Sequence, residues 1–321
     1  MVLSRRGFMT SSVLAGAVAA FDTQPALAKA PLSTSPMTGA IRRKVGGLEV
    51  TALLDGYFQL DTRLFIGMDE VEATKYADAA YLPSGPRHAP VNAYLVNTGE
   101  NLILIDAGTA GGMGANLGHL PAAMKAVGVE PEDVDTILVT HMHADHINGV
   151  LAPDGSALFR NAELVVSATE LAFWQDDANM NRAPVEAKQT FLGARRASAA
   201  YAKRTRQING GGEVLKSINA VPLPGHTPGH TGFTISSEGE TLFIWGDIVH
   251  MAAYQFSNPE IAVVFDTDPK MAAETRKRIL DQVSKDRTMV AGMHMPFPGF
   301  GHVAPDGDSY RFIPAEWPYT P

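Results

Sequence analysis

The sequence predicts an α/β fold in which sheets lie between layers of helices. Three observations carry this. Strand-like and helix-like runs alternate through two similar halves. The 321 residues are 45% hydrophobic and 19% charged, the balance of a chain that buries a sizeable core rather than of a disordered one. After residue 40 no shift in composition marks a second domain.

Residues 1–28 read as an export signal. Arg5-Arg6 precedes Phe8, an apolar run extends from Val13 to Phe21, and Ala26-Leu27-Ala28 offers a small-residue cleavage site. The arginine pair resembles a twin-arginine signal. The apolar run is well short of the roughly 20 residues that span a bilayer. A periplasmic or secreted protein is expected, with no stable membrane insertion after cleavage. Residues 29–40, rich in Pro, Ser and Thr, read as a linker to a catalytic domain over 41–321.

Strands are predicted at 48–54, 91–96 and 101–105, the last two as a hairpin around Asn97-Thr98-Gly99-Glu100. A helix follows over 117–127, and a buried strand over 134–139 runs into a histidine cluster. Another strand covers 162–166, a helix starts near Thr169, and 184–206 reads as helical. Residues 231–237 and 241–245 form a second hairpin around Glu238-Gly239. Asp268 and Pro269 open a helix to Val283, because Asp caps the first turn and Pro suits its first position. A short strand over 288–291 ends the series.

The chemistry concentrates after the strand at 134–139. Thr140-His141-Met142-His143-Ala144-Asp145-His146 packs three histidines and an aspartate at a strand end. Left unpaired and buried, each such group costs about 1–3 kcal/mol, which metal coordination would offset. The chain has no cysteine, so thiolate metal sites and cysteine nucleophiles are excluded. A net charge of −8 and no run of Lys or Arg argue against nucleic acid as a partner.

The His-x-His-x-Asp-His run resembles the signature of the metallo-β-lactamase superfamily, and further motifs follow in order. They are Asp106-Ala107-Gly108, Pro224-Gly225-His226-Thr227-Pro228-Gly229-His230, Gly246-Asp247, and His294 in Ala291-Gly292-Met293-His294. The resemblance spans residues 41–313 and implies a four-layer αββα sandwich. Gly246-Asp247-Ile248-Val249-His250, the run from His294 to His302, and Tyr310-Arg311-Phe312-Ile313-Pro314 resemble the methyl parathion hydrolase branch of organophosphorus hydrolases.

The resemblance implies two divalent metals, zinc first, with manganese, cobalt or iron as alternatives. His141, His143 and His226 would hold one, and Asp145, His146 and His294 the other. Asp247 would bridge them, and a hydroxide shared by the two cations would be the nucleophile. Asp145 and Asp247 are thus also the catalytic carboxylates. Asp106 and His230 are expected to brace the ligands from behind. Phe65, Trp174, Phe191 and His250 are candidates for a substrate pocket, although core packing explains aromatics equally well. His250 and His302 either face the site or bond backbone carbonyls.

The expected activity is hydrolysis of a small, ester-like molecule: a lactone, an aryl ester or an organophosphate triester. Alternatives are a β-lactam hydrolase and an iron-dependent redox enzyme on the same fold. A non-catalytic module would be expected to have lost ligands. Relatives of this kind are often dimers, so a homodimer is expected by analogy alone.

Overall fold

The computed structural model describes residue 32 and residues 37–83 and 85–317. Contacts divide the chain into Met1–Met37 and Thr38–Pro321, and the architecture below is that of the second unit. The predicted signal and most of the predicted linker lie outside the described residues. Ala40, assigned to the linker, is instead the first residue of a strand.

The first half runs β1 (Ala40–Val45), β2 (Leu48–Leu60), β3 (Phe65–Ile66), α1 (Glu70–Ala79), β4 (Arg87–Asn97), β5 (Leu102–Ile105), α2 (Leu120–Ala126), β6 (Thr136–Leu138), α3 (Ala144–Ile147), β7 (Glu163–Ser167), α4 (Ala168–Gln175), α5 (Asp177–Arg182), α6 (Lys188–Ala200) and β8 (Thr205–Ile208). The second runs β9 (Gly212–Leu215), β10 (Ile218–Pro222), β11 (Thr231–Ser237), β12 (Glu240–Ile244), α7 (Ala252–Gln255), β13 (Ala262–Val263), α8 (Pro269–Asp286), β14 (Met289–Ala291), β15 (Gly301–Asp306) and β16 (Ser309–Pro314). Two seven-stranded sheets result, in the orders β1-β2-β4-β5-β6-β7-β8 and β16-β15-β14-β12-β11-β10-β9, while β3 and β13 pair separately.

Side-chain alternation builds the layers. Along β5, Ile103 and Ile105 point between the sheets while Leu104 points toward the helices of the first half. Along β12, Leu242 and Ile244 point between the sheets and Phe243 points toward α8. Each sheet is thus apolar on both faces, which demands a helix layer outside each. This is the expected αββα sandwich.

Several boundaries differ from expectation. The strand at 48–54 continues to Leu60 through a register shift between Leu54 and Gly56, the irregularity an in-strand glycine permits. The helix at 117–127 is trimmed to Leu120–Ala126, with Pro121 in its first turn. The stretch 184–206 is not one helix. Only Lys188–Ala200 is helical, and Thr205–Ile208 instead adds a parallel edge strand to β7. Its residues alternate weakly, and pairing with a neighbour rather than propensity decides their state. Helix α8 begins as predicted, with the Asp268 side chain accepting from Met271 N–H at 3.0 Å, and runs one turn longer.

Candidate metal centre

The site groups cluster just past strand ends. Asp106 follows β5 directly, His141 follows β6 by three residues, His226 follows β10 by four, Asp247 follows β12 by three and His294 follows β14 by three. This is the edge where parallel strands of an α/β sheet present ligand-binding loops.

All seven residues expected to be ligands come together there. His141 Nε2, His143 Nδ1 and His226 Nε2 form a triangle with edges of 3.1, 2.9 and 3.2 Å. His146 Nε2 and His294 Nε2 each lie 3.3 Å from Asp145 Oδ2. Between the two groups sits Asp247 Oδ2, 3.6 Å from His141 Nε2, 3.3 Å from both His146 and His226 Nε2, and 3.1 Å from His294 Nε2. Donor atoms of His141, His143 and His226, and separately of Asp145, His146 and His294, all lie within 4.8 Å of one another.

The far ring nitrogens explain why these atoms face inward. His146 Nδ1 donates to Asp106 Oδ2 at 2.7 Å, His226 Nδ1 to Asp266 Oδ1 at 2.7 Å, and His294 Nδ1 to the Pro90 carbonyl at 2.8 Å. His141 Nδ1 contacts the Thr140 hydroxyl at 3.1 Å, whose own proton goes to Asp106 at 2.6 Å. With Nδ1 carrying the proton in these four rings, their Nε2 atoms are free to bind a cation, whereas His143 turns Nδ1 inward.

The donor set fits divalent metals. Three imidazole nitrogens converge without a conventional donor–acceptor pattern. His146 Nε2 and Asp247 Oδ1 are buried and have no hydrogen-bond partner among the described residues. Nitrogen and carboxylate donors without thiolate suit zinc, and also manganese, cobalt or iron.

Electrostatics follow from the same crowding. Burial raises the carboxyl pKa of Asp247 and of Asp145, but the His146 charge and other histidines override it and hold both well below the usual range. Burial also opposes protonation of His226 and His294, yet Asp247 pushes them up to about 9 and about 10, aided by Asp266 at the first and Asp145 at the second. Burial keeps His230 neutral, lowered to about 3, and His250 lowered to about 4.

Asp106 and His230 contact the clustered donor residues from behind. Asp106 has a left-handed backbone, φ 57°, and its carboxylate takes the Thr140 amide as well as His146. His230 donates from Nδ1 to the Leu223 carbonyl at 3.0 Å and accepts the Asp247 amide on Nε2 at 3.0 Å. Gly246, at φ 60°, makes that approach possible, since a Cβ would stand 2.3 Å from His230 Nε2.

Above the donors opens a cavity of about 900 Å³ whose lining includes Trp174, Phe191, His250, His143, Asp145, Asp247 and His294. Phe65 does not line it. Its ring packs edge-on against Tyr254 in a separate apolar cluster, 5.0 Å between centres, because β3 pairs with β13 and turns the ring inward. Phe58, Phe173 and Phe265 line the cavity instead. His250 faces it with neither ring nitrogen hydrogen-bonded among the described residues. His302 instead bonds the Arg287 carbonyl at 3.1 Å. Sequence reasoning missed Asp266 and Glu170, lone carboxylates whose partners lie far along the chain.

The chain is 26% identical over 257 residues to the N-acyl homoserine lactonase AiiA of Bacillus thuringiensis subsp. kurstaki, covering 74% of this chain and 90% of that one. The crystal structure of the hydrolase AbOPH, of the beta lactamase superfamily, is 36% identical with a TM-score of 0.84, over 88% of this chain and all of that one. AidC, a dizinc quorum-quenching lactonase bound to a product N-acyl homoserine, is 26% identical with a TM-score of 0.83, over 87% and 98%. Residues 87–294 match the family model of the metallo-beta-lactamase superfamily, and the chain belongs to that superfamily.

Proposed function

We propose that this chain is a two-metal hydrolase that cleaves an ester-like bond in an uncharged small molecule: a lactone, an aryl ester or an organophosphate triester. The single observation that carries this is the seven convergent donors at the floor of a largely apolar cavity. Similarity to lactonases, one of them dizinc, supports the reading.

His141, His143 and His226 would hold one cation and Asp145, His146 and His294 the other, with Asp247 between them. Two such cations supply Lewis acidity that polarises the substrate and makes water a strong nucleophile at neutral pH. The protein does the rest. Asp106, Asp266 and the Pro90 carbonyl hold the rings in one tautomer, so no reorganisation is needed at the moment of reaction. Trp174, Phe191 and Phe173 surround the apolar part of the substrate and exclude water. The free ring nitrogens of His250 can bond a substrate oxygen beside Asp247, 3.2 Å away.

A panel of lactones, aryl esters, phosphotriesters and nitrocefin, run on protein of measured metal content, tests the proposal. Turnover of at least one ester-like class, dependent on two metals per chain, is expected. Turnover of nitrocefin alone would replace the ester reading with β-lactam hydrolysis. Export through the Arg5-Arg6 segment is part of the proposal. Fractionation of expressing cells should find the protein outside the cytoplasm, and retention there after Arg5→Lys and Arg6→Lys together.

A further inference from the structure

Helix α4 carries a carboxylate that belongs to none of the ligand patterns. Glu170 sits in its first turn and is fully buried. Oε1 accepts from Met142 N–H at 2.9 Å and from Trp174 Nε1–H at 2.6 Å. Oε2 accepts from the Thr227 hydroxyl at 2.6 Å and from Gly229 N–H at 3.0 Å. Met142 lies between His141 and His143, and Thr227 follows His226. Trp174 sits one turn further along α4, its ring edge-on to His143 with 5.4 Å between centres.

One carboxylate therefore ties together the two turns that supply three of the proposed ligands, and anchors the indole that backs one of them. Burying a carboxylate is costly unless its lone pairs are satisfied. Here each oxygen meets two donors, a pattern only a carboxylate completes. A glutamine of the same shape would turn its NH₂ toward two donors. The backbone leaves space for this arrangement. A Cβ on Gly229 would stand 2.2 Å from Glu170 N, so only glycine lets the turn after His226 close onto α4.

We propose that Glu170 is a positioning residue that sets the distance between the His141–His143 turn and His226, and thereby the affinity of the metal site they form. The inference rests on the two-metal reading above. It acts on one site only. Asp145, His146 and His294 are fixed by other groups, Asp106 and the Pro90 carbonyl among them, and none of Glu170's four donors belongs to that triad.

The test titrates metal-free wild type, Glu170→Gln and Thr227→Val with cobalt(II). It reads the cobalt absorption spectrum, bound metal per chain and the melting temperature of each metal-free protein. Wild type should take two cobalt ions. Glu170→Gln should keep one at wild-type affinity and bind the other about 10–100-fold more weakly, the range typical of lost support behind a ligand. Thr227→Val, which removes one donor of four, should shift the same ion by less. The inference is overturned if Glu170→Gln binds both ions as wild type does. It is equally overturned if both ions weaken alike in step with a lower melting temperature, as a purely structural role would give. Should Glu170→Gln fail to fold, Thr227→Val decides by the same criteria. A wild type that binds no second ion overturns the two-metal reading and this inference with it, so the two failures are told apart by which protein shows them.

Discussion

Asp247 Oδ2 lies within 3.6 Å of the Nε2 atoms of four histidines expected to be ligands. This shared charge holds His226 and His294 protonated up to about pH 9 and 10 in the metal-free protein. Their folded pKa values exceed the ordinary 6.5. The stability they lend is therefore complete below about pH 6.5 and is lost as pH rises toward 9–10. Thermal melts of metal-free protein should accordingly shift down between pH 6.5 and 10. Cation binding displaces the same protons, so zinc uptake at pH 7.5 should release protons, measurable by calorimetry in buffers of different ionisation heat. Replacing Asp145 with Ala removes a proposed ligand and should lower kcat/KM by roughly a hundredfold or more, beyond the range seen for groups behind a ligand. Wild-type activity in that variant would refute the assignment. At this scale the donor cluster was legible, because three histidines and an aspartate packed behind a strand have few structural explanations. Glu170 and Asp266 were not. A lone carboxylate shows its purpose only when the fold brings it to its partners, three of Glu170's four donors lying 28 to 59 residues away and His226 lying 40 from Asp266.

Elements were readable where local rules agree and obscure where a partner decides. Helix α8 announced itself by Asp268 and Pro269, and in the structure it buries Ile279, Leu280 and Val283. Asp268→Ala removes one cap and should cost about 1 kcal/mol in denaturant unfolding. A loss near zero would show that Asp268 contributes nothing through Met271. The first two residues of edge strand β8 were read as helix and the rest left unassigned, since nothing in Thr205–Ile208 beyond its pairing with β7 marks it as a strand. The β15–β16 hairpin escaped notice for a related reason. Its six residue pairs, from Gly301↔Pro314 to Asp306↔Ser309, include Pro305 and Pro314, which sequence rules count against a strand. Pro314 lies in the edge strand β16, and Pro305 lies beyond the single pair that β15 makes with β14, so neither missing N–H is owed to an inner neighbour.

For the whole molecule, the order of motifs predicted the sandwich, and the two predicted hairpins form as β4–β5 and β11–β12, but the order of the other strands was not predicted. The two sheets hold the site between them. His141, His143, Asp145 and His146 follow β6 of the first, and His226, Asp247 and His294 follow β10, β12 and β14 of the second. A cation bound there links the sheets and stabilises only the folded chain. Chelation should lower the melting temperature, and zinc at a hundred times its dissociation constant should restore about 2.7 kcal/mol. An unchanged melting curve with metal removed would mean that the donors close on nothing.

That division of labour has a practical reach. A fragment ending before Gly225 keeps four of the seven donors and lacks Asp247 altogether. Neither piece of a chain cut between β9 and β10 could do the chemistry alone, yet the two, reassembled, should regain it. The molecule could thus serve as a split reporter whose signal appears only when its halves meet.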